Sequence, residues 1–347
     1  MARAALLCGP RDIRVVELPE EAPGPGELLL EVTAVGICGS DLHTYLNGEI
    51  GGVAAESPLV LGHEAAGRVA GLGAGTEQHF RIGQPVAIDP GLPCGECELC
   101  LEGQPNLCLH LQFIGLYPRH GALRERMVHP AAQCVPLPDG LDAVSTALLE
   151  PLGVALHAVR LAKIRVGDDV LVVGCGGIGL LIIQLARLAG ARRIFASDRY
   201  SWRLELARSQ GAEVALDAGA GDVVASVRDA TVGRGVDVAI EAAWVEGTAN
   251  QCVEAARNGG RVIIVGIPAE DSMTMRASTA RRKGLTIKMS RRMKHTYGPC
   301  IDLVHSGKVD LRSLATHTFA LERTQAAFET AATYHEGVVR AMVLPID

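Results

Sequence analysis

A glycine-rich segment near the middle of the chain constrains the fold more than any other stretch of the sequence. The segment VLVVGCGGIG places Gly174, Gly176 and Gly179 in a G-x-G-x-x-G pattern, directly after a continuous apolar run. That run is typical of a strand covered on both faces, and residues 177–191 predict a helix after it. A strand, a glycine turn and a helix in this order are typical of a dinucleotide-binding unit. A tight turn without a ligand is the alternative.

The strand–helix alternation continues beyond this turn. Strands are predicted at 192–198, 213–218, 236–243 and 260–268, and helices at 200–211, 221–231 and 246–257. The alternation ends near residues 283–290, after which helices are predicted near 299–307 and 322–335 and a strand at 339–345. Repeated β-α-β units favour a doubly wound parallel sheet in an α/β fold.

The first third of the chain has a different character. Short apolar runs with β-branched residues at 27–38 and 64–73 predict strands, and prolines interrupt the later segments. No strand–helix alternation is visible before about residue 140, so a barrel or a sandwich suits this part better than a parallel sheet. The last strand of the chain is expected to return to this first domain.

Composition argues against several classes of protein. The net charge of −6 argues against a nucleic-acid binder, which usually presents a clustered basic face. The sequence contains no run of 18 or more apolar residues, and its first apolar run is too short for a secretory signal. We therefore expect a soluble cytoplasmic protein without a membrane partner. In a reducing cytosol, closely spaced cysteines bind metal more often than they pair.

An acidic residue supports the interpretation of the glycine turn as a cofactor site. Asp198 ends the second predicted strand, where a carboxylate can accept hydrogen bonds from the adenosine ribose. Its charge would repel a 2′-phosphate, which favours NAD over NADP, although the adjacent Arg199 could tolerate that phosphate. Arg203 is either a contact of the adenosine end or a solvated helix charge. The other candidate cofactor contacts are Gly174, Gly176, Gly177, Ile178, Gly179, Val265 and Gly266.

Four cysteines lie close together in the segment GLPCGECELCLEGQPNLC. Cys94, Cys97, Cys100 and Cys108 follow the spacing C-x2-C-x2-C-x7-C. Four thiolates can complete the tetrahedral coordination of a structural zinc and leave no place for a substrate. Iron–sulfur ligation and reduced, unpaired thiols are the alternatives. The pattern therefore predicts a metal that stabilises a lobe.

A second group of potential metal ligands is scattered along the chain. Cys38 lies in GICGSDLH, His63 and Glu64 lie in GHEAAG, and Glu150 lies in EPLGVALHA. A mixed set with three protein ligands leaves a fourth coordination place for water or substrate, as catalytic zinc requires. Taken singly, each of these residues could equally be a core or helix-cap residue, so they indicate a site only together.

In this order, and over essentially the whole chain, the motifs resemble the medium-chain zinc-dependent alcohol/polyol dehydrogenase family. Glu150 in LEPL and the segments GALRERMVHP and RRMKHTY are most similar to its sorbitol dehydrogenase branch. The resemblance implies a GroES-like β-barrel catalytic domain over residues 1–152, with 290–347 returning to it. An inserted Rossmann domain would span 153–289. The family also implies two zinc ions per chain, NAD and a homotetramer or homodimer.

The resemblance further implies roles for the scattered ligands. Cys38 and His63 are expected to bind the catalytic zinc. Glu64 is a ligand in the sorbitol-type branch and the position of Glu150 ligates in others, so the sequence leaves this choice open. Asp41 is expected to orient a zinc-ligating histidine.

The implied reaction is the reversible oxidation of a secondary alcohol to a ketone, with hydride transfer to the nicotinamide. Ser40 is placed to take the proton that the substrate hydroxyl loses when it becomes an alkoxide, and to pass it on through the cofactor ribose. His43 could deliver that proton to solvent, with a purely structural hydrogen bond as its alternative role. Glu150 is expected beside the metal, near substrate or a bound water.

Thr44 and Arg292 are the candidate substrate contacts. Thr44 replaces a tyrosine of the sorbitol branch, and Met293 replaces a second one, so the identity of the alcohol stays open. A threonine or butanediol dehydrogenase of the same fold is the nearest alternative. A zinc-binding module without catalysis is a more distant one.

Overall fold

The structure, a computed structural model, describes residues 1–56, 58–268, 272–334 and 337–346 and divides the chain into two compact units. The first unit comprises Met1–Pro151 and Tyr297–Asp347, and the second comprises Leu152–Thr296.

The first unit is built mainly of strands. These are β1 (Ala2–Gly9), β2 (Asp12–Leu18), β3 (Glu27–Gly36), β4 (Glu49–Ile50), β5 (Val53–Ala54), β6 (Leu59–Val60), β7 (Glu64–Leu72), β8 (Pro85–Ile88), β9 (Gly91–Leu92), β10 (Gln112–Phe113), β11 (Arg126–Pro130), β12 (Cys134–Pro136), β19 (Ala315–Ala320) and β20 (Arg340–Leu344). Its helices are α1 (Gly39–Asn47), α2 (Glu98–Leu101), α3 (Ala143–Ala147), α10 (Tyr297–His305) and α11 (Thr324–Thr333), and α4 (Leu149–Ala162) contains the boundary between the units.

The largest sheet of the first unit joins strands from both ends of the chain. Its order is β12-β8-β7-β3-β20-β19, with β11 also paired to β3, and β2-β1-β6 form a smaller sheet. On β3, Leu28, Leu30 and Val32 are buried while the residues between them are partly exposed, the period of a strand with one face in the core. The C-terminal strand β20 pairs with β3, in the unit to which the sequence predicted that the last strand would return.

The second unit alternates strands and helices. Its strands are β13 (Asp169–Val173), β14 (Arg193–Asp198), β15 (Val214–Asp217), β16 (Val236–Glu241), β17 (Ala256–Ile264) and β18 (Thr286–Met289). Its helices are α5 (Gly177–Leu188), α6 (Ser201–Ser209), α7 (Val223–Ala230), α8 (Thr248–Ala255) and α9 (Ala277–Arg282). The strands pair in parallel in the order β15-β14-β13-β16-β17-β18. The predicted doubly wound sheet is confirmed, and its strand order reverses between β13 and β16, where such sheets bind ligands.

The second unit extends beyond residue 289, where the sequence analysis ended the Rossmann domain. The reason lies in contacts with α4. The guanidinium of Arg160 donates a hydrogen bond of 3.2 Å to the backbone oxygen of His295. Gly153 also packs so closely on Met293 that a Cβ added there would lie 2.4 Å from its sulfur. These contacts join residues 290–296 to the second unit.

Helix α1 was not predicted from the sequence. Its buried residues include Asp41, His43 and Thr44 as well as Leu42 and Tyr45, so no apolar stripe of helical period marks it. A polar face is buried here because it belongs to the candidate metal site. In the described ranges of the chain, none of the helices is both long and apolar enough to cross a lipid bilayer.

Candidate metal and cofactor sites

Helix α1 and the start of β7 supply the first candidate site. Cys38 is the N-cap of α1, and its backbone N–H donates a hydrogen bond of 3.0 Å to Asp41 Oδ2. The ligand atoms of Cys38, His63 and Glu64 lie within 4.8 Å of one another. The structure therefore brings together three of the four scattered ligands that the sequence predicted.

Asp41 also contacts the imidazole of His63. Asp41 Oδ1 lies 3.3 Å from His63 Nδ1 and accepts a hydrogen bond of 3.2 Å from the backbone N–H of Gly62. This contact occupies the Nδ1 side of the ring and leaves Nε2 for a metal. Burial disfavours the imidazolium, but the charges of Asp41 and Cys38 outweigh burial and raise the pKa of His63 well above its ordinary value.

The two glutamates differ in their position relative to the cluster. Glu64 is fully buried, and neither of its carboxylate oxygens has a hydrogen-bond partner. Glu150, at the start of α4, is also buried, but it is not grouped with Cys38 and His63 within that distance. In the described residues, the geometry thus favours Glu64 over Glu150 as the carboxylate donor.

The donor set fits zinc. A thiolate, an imidazole and a carboxylate are the ligand types that zinc takes in catalytic sites, where three protein ligands leave one place open. A buried carboxylate without a hydrogen-bond partner is costly unless a cation neutralises it. The ion pair of Glu64 with Arg340, at 3.2 Å, offsets part of this cost, and the Glu64 oxygens, which make no hydrogen bond, remain available to a metal.

The four-cysteine lobe forms a separate cluster around α2. The sulfurs of Cys94 and Cys108 are 3.5 Å apart, and those of Cys97 and Cys108 are 3.9 Å apart. A disulfide would require about 2.05 Å. Tetrahedral zinc with Zn–S bonds of about 2.3 Å places its sulfurs about 3.8 Å apart. These two distances are close to those of a zinc tetrahedron, and the four cysteines of the lobe form no disulfide.

Backbone amides favour the thiolate forms of Cys97 and Cys108, whereas burial raises the pKa of Cys100 to about 12. The backbone N–H groups of Leu109 and Cys100 lower the pKa of Cys97 to about 6. The N–H of Cys94 donates to the sulfur of Cys108 at 3.3 Å, and that of His110 donates at 3.4 Å. Thiolates stabilised in this way are the form that binds metal.

The glycine turn lies at the carboxyl end of β13, in the second unit. Gly174 has φ +93°, and a Cβ added to Gly179 would lie 1.8 Å from the Gly174 backbone oxygen. A Cβ on Gly176 would instead point into open space at the N-cap of α5. The amides of Gly177 and Ile178 belong to the first turn of α5, whose N–H groups have no helical acceptor. The turn therefore offers anion-binding amides that a pyrophosphate can approach closely.

Asp198 lies at the end of β14 but is only 7% exposed. Its carboxylate accepts hydrogen bonds from the backbone N–H groups of Cys175 (2.8 Å) and Tyr200 (3.0 Å) and lies 3.7 Å from Arg203. Arg203 is buried with its guanidinium over the rings of Tyr200 and Trp202, so it is not a solvated helix charge. Arg199 stacks on Tyr200 and donates to its hydroxyl.

Glu241 is a residue that the sequence analysis missed. It ends β16, is 1% exposed, and accepts hydrogen bonds from the backbone N–H groups of Ala243, Trp244 and Gly266. The backbone N–H of Val265 donates to the Glu241 backbone oxygen at 2.9 Å. One buried carboxylate thus fixes two loops at the edge where the cofactor contacts were predicted. The sequence feature that could have identified Glu241 is its position as an acidic residue at the end of the strand segment VDVAIE.

The predicted substrate residues lie in different units. Thr44 is buried on α1, and its hydroxyl donates a hydrogen bond of 3.2 Å to the backbone oxygen of Ser40. Ser40 Oγ lies 3.5 Å from His63 Nε2, and His43 is buried on the same helix. Arg292 belongs to the second unit and has φ +52°, a left-handed conformation unusual for a residue other than glycine.

Two family models match the chain. The alcohol dehydrogenase GroES-like domain matches residues 24–139, and the zinc-binding dehydrogenase matches residues 177–306. The chain is 35% identical to the sorbitol dehydrogenase of Bacillus subtilis (strain 168), in a match that covers 99% of this chain and 97% of that protein. The predicted combination of a GroES-like domain and a Rossmann-type sheet is confirmed.

Two solved structures are similar over nearly the full length. A candidate zinc-binding dehydrogenase from Sinorhizobium meliloti 1021, bound to NADP, has a TM-score of 0.90 and 33% identity and covers 99% of both chains. The 2R,3R-butanediol dehydrogenase of Bacillus subtilis has a TM-score of 0.90 and 30% identity and covers 100% of both chains.

Proposed function

Because the chain belongs to the zinc-dependent medium-chain alcohol/polyol dehydrogenase family, we propose that it oxidises a secondary alcohol of a polyol-like substrate to a ketone with NAD as hydride acceptor. The observation that carries this proposal is the convergence of Cys38, His63 and Glu64 from separate segments of the chain. A zinc-binding module without catalysis would need the cysteine lobe but not this second cluster.

The donors Cys38, His63 and Glu64 would bind the catalytic zinc, with Glu150 in the neighbouring carboxylate shell. Zinc bound there would supply a Lewis acid that lowers the pKa of a substrate hydroxyl. Asp41 orients the ring of His63 through Nδ1 and caps the helix that carries Ser40. Both contacts keep the ligands in place before the metal binds.

Ser40 and His43 are our candidates for moving the substrate proton. The hydroxyl of Ser40 lies 3.5 Å from His63 Nε2, next to the proposed metal. His43 is one helical turn further along α1, on the same face. Ser40 would accept the hydroxyl proton while it gives up its own, and His43 would carry that proton onward. We expect Ser40→Ala to lower kcat with a small effect on KM.

The cysteine lobe would bind a second, structural zinc, which gives two zinc ions per chain. The support is the match between its sulfur spacing and a zinc tetrahedron. Metal analysis of the purified protein tests this number. A measured content of one zinc ion per chain would mean that one of the two proposed sites does not bind zinc.

NAD is the proposed acceptor because Asp198 carries a negative charge at the end of β14, next to the glycine turn. The relative bound to NADP and the exposed Arg199 argue for measuring both cofactors. Initial rates with NAD and NADP at equal concentrations test the preference.

A homo-oligomer is our proposal for the state of the chain in solution, as a dimer or tetramer. Leu101 and Leu109 on the cysteine lobe are 76% and 62% exposed, which leaves apolar surface that a subunit contact could cover. Light scattering after size-exclusion chromatography measures the mass directly, and a monomer at micromolar concentration would contradict the proposal.

The decisive experiment is a screen for NADH and NADPH production over polyols, aminocyclitols, amino alcohols and vicinal diols. Cys38→Ser is the matched control, because it removes one zinc donor in the first unit and leaves the glycine turn intact. We expect this variant to lose turnover while it binds NAD with nearly unchanged affinity. Wild-type activity in Cys38→Ser would disprove the catalytic zinc.

A vicinal diol is the second candidate substrate. The structural relative from Bacillus subtilis is named for 2R,3R-butanediol. Thr44, which replaces a tyrosine of the sorbitol branch, donates its hydroxyl to a backbone oxygen. One contact for a long sugar chain is therefore absent, which suits a shorter diol. Comparison of kcat/KM for butanediol and sorbitol distinguishes the two.

A further inference from the structure

Arg340 is a buried arginine that reaches the Cys38–His63–Glu64 cluster from the far end of the chain. It begins strand β20 and is 6% exposed. Its Nη1 donates a hydrogen bond of 2.9 Å to the backbone oxygen of Ile37 and lies 3.2 Å from Glu64 Oε1. One guanidinium therefore contacts both the residue before Cys38 and the carboxylate that follows His63.

The register of the main sheet produces this arrangement. Gly36 on β3 pairs with Glu64 on β7 and with Met342 on β20. A Cβ added to Gly36 would lie 2.3 Å from Glu64 Oε2, so only glycine leaves room for the carboxylate. Gly36 on β3 therefore packs against Glu64 Oε2, and Arg340 contacts Glu64 Oε1, so both carboxylate oxygens are held in place.

The buried negative charge of Glu64 needs a nearby positive charge, and Arg340 supplies it. A fully buried carboxylate loses its hydration, and neither oxygen of Glu64 recovers a hydrogen bond. Arginine stays charged at any accessible pH, so it can neutralise the site permanently. The guanidinium of Arg340 lies 3.2 Å from Glu64 Oε1, so the two buried charges form an ion pair.

We propose that Arg340 is a positioning residue for the catalytic zinc site. It pairs with Glu64 and keeps its carboxylate aligned with Cys38 and His63, so that the three donors are arranged before the metal binds. This inference rests on the proposed zinc site and adds the residue that fixes its carboxylate donor.

The test measures zinc affinity, by competition with a chromophoric chelator, in the wild type and in Arg340→Met and Arg340→Lys. Loss of the partner of a metal ligand typically lowers metal affinity 10–100-fold. We expect Arg340→Met to weaken one of two sites by roughly that factor. Arg340→Lys should weaken it less, because lysine keeps the charge without the planar fork. The same measurement in Cys38→Ser, which retains only the cysteine lobe, should show no effect of Arg340→Met.

Two controls separate positioning from loss of stability. Val343→Ala removes a buried side chain from the same strand and should leave zinc affinity unchanged. In a Glu64→Gln background, Arg340→Met should add little if Arg340 acts through Glu64.

Three results would overturn the role of Arg340. The first is an unchanged zinc affinity in Arg340→Met, and the second is an equal loss of affinity from Arg340→Met in the wild-type and Glu64→Gln backgrounds. The third is a loss in Val343→Ala as large as that in Arg340→Met. A wild-type chain that binds zinc only through its four lobe cysteines would overturn the proposed catalytic site, and this inference with it.

Discussion

Asp198 Oδ2 accepts a hydrogen bond of 2.8 Å from the backbone N–H of Cys175, inside the glycine turn. The carboxylate that the sequence predicts as a ribose contact thus also fixes the loop that would bind the pyrophosphate. Its second oxygen accepts from the N–H of Tyr200, the N-cap of α6, so the carboxylate holds both the glycine turn and the β14–α6 connection. Asparagine removes the charge and retains one of the two acceptor oxygens, whereas glycine removes both.

Asp198→Gly should weaken the binding of both NADH and NADPH, because the N–H of Cys175 loses its acceptor. Asp198→Asn should lose less NADH affinity than Asp198→Gly, because one acceptor remains, and should improve NADPH binding, because the repulsive charge is removed. Cofactor fluorescence titrations measure both constants. An NADPH affinity that stays unchanged in Asp198→Asn would mean that this carboxylate does not discriminate against the 2′-phosphate.

Gly179→Ala should lower both stability and cofactor affinity. The added methyl would lie 1.8 Å from the Gly174 backbone oxygen, so the turn or the helix has to move. We expect a loss of about 2 kcal/mol in the free energy of unfolding, in the range of overpacked sites. Gly221→Ala is the matched control, because a Cβ there meets nothing within 4 Å. Equal stability of the two variants in urea denaturation would contradict the close approach.

Cys97→Ser should remove the zinc that we propose for the lobe while the Cys38–His63–Glu64 cluster stays intact. Three thiolates bind zinc more weakly than four, so the zinc content should fall by about one ion per chain. The melting temperature or the oligomer mass should change before kcat does. If kcat falls while zinc content, melting temperature and mass are retained, the lobe has a direct catalytic role.

Asp237→Asn should destabilise the second unit in a pH-dependent way. Burial tends to raise the pKa of Asp237, but hydrogen bonds and charges from Arg234 and Arg257 lower it below its ordinary value. The folded pKa is therefore below the unfolded one. Its stabilisation is fully present above about pH 4 and is lost as the pH falls further. We expect a loss of about 3 kcal/mol at pH 7 and a smaller one at pH 3.

Both tryptophans of the chain, Trp202 and Trp244, lie in the second unit, so their fluorescence reports its unfolding. Asp229→Asn changes an exposed aspartate of the same unit and controls for net charge. A difference between Asp237→Asn and wild type that does not shrink at low pH would contradict the assigned charge state.

Local patterns predicted most of the architecture. The second unit follows its strand and helix signals to within a few residues, because continuous apolar strands and glycine punctuation depend only on neighbours in the chain. The cysteine lobe could also be predicted from the sequence, since its four cysteines lie in one short segment. They are Cys94, Cys97, Cys100 and Cys108. The sequence did not predict helix α1, because its buried residues include the polar Asp41, His43 and Thr44. A polar segment of this kind normally indicates a loop.

The sequence by itself determined which chemical groups this protein contains: a glycine turn, a four-thiolate lobe and a scattered set of zinc donors. Only the tertiary structure decided how the groups are used. It placed Glu64 rather than Glu150 beside Cys38 and His63, turned Asp198 toward the glycine turn, and brought Arg340 to Glu64. These contacts depend on the register with which β3 pairs to β7 and to β20. Such pairings join residues far apart in the chain, so no local pattern in the sequence specifies them.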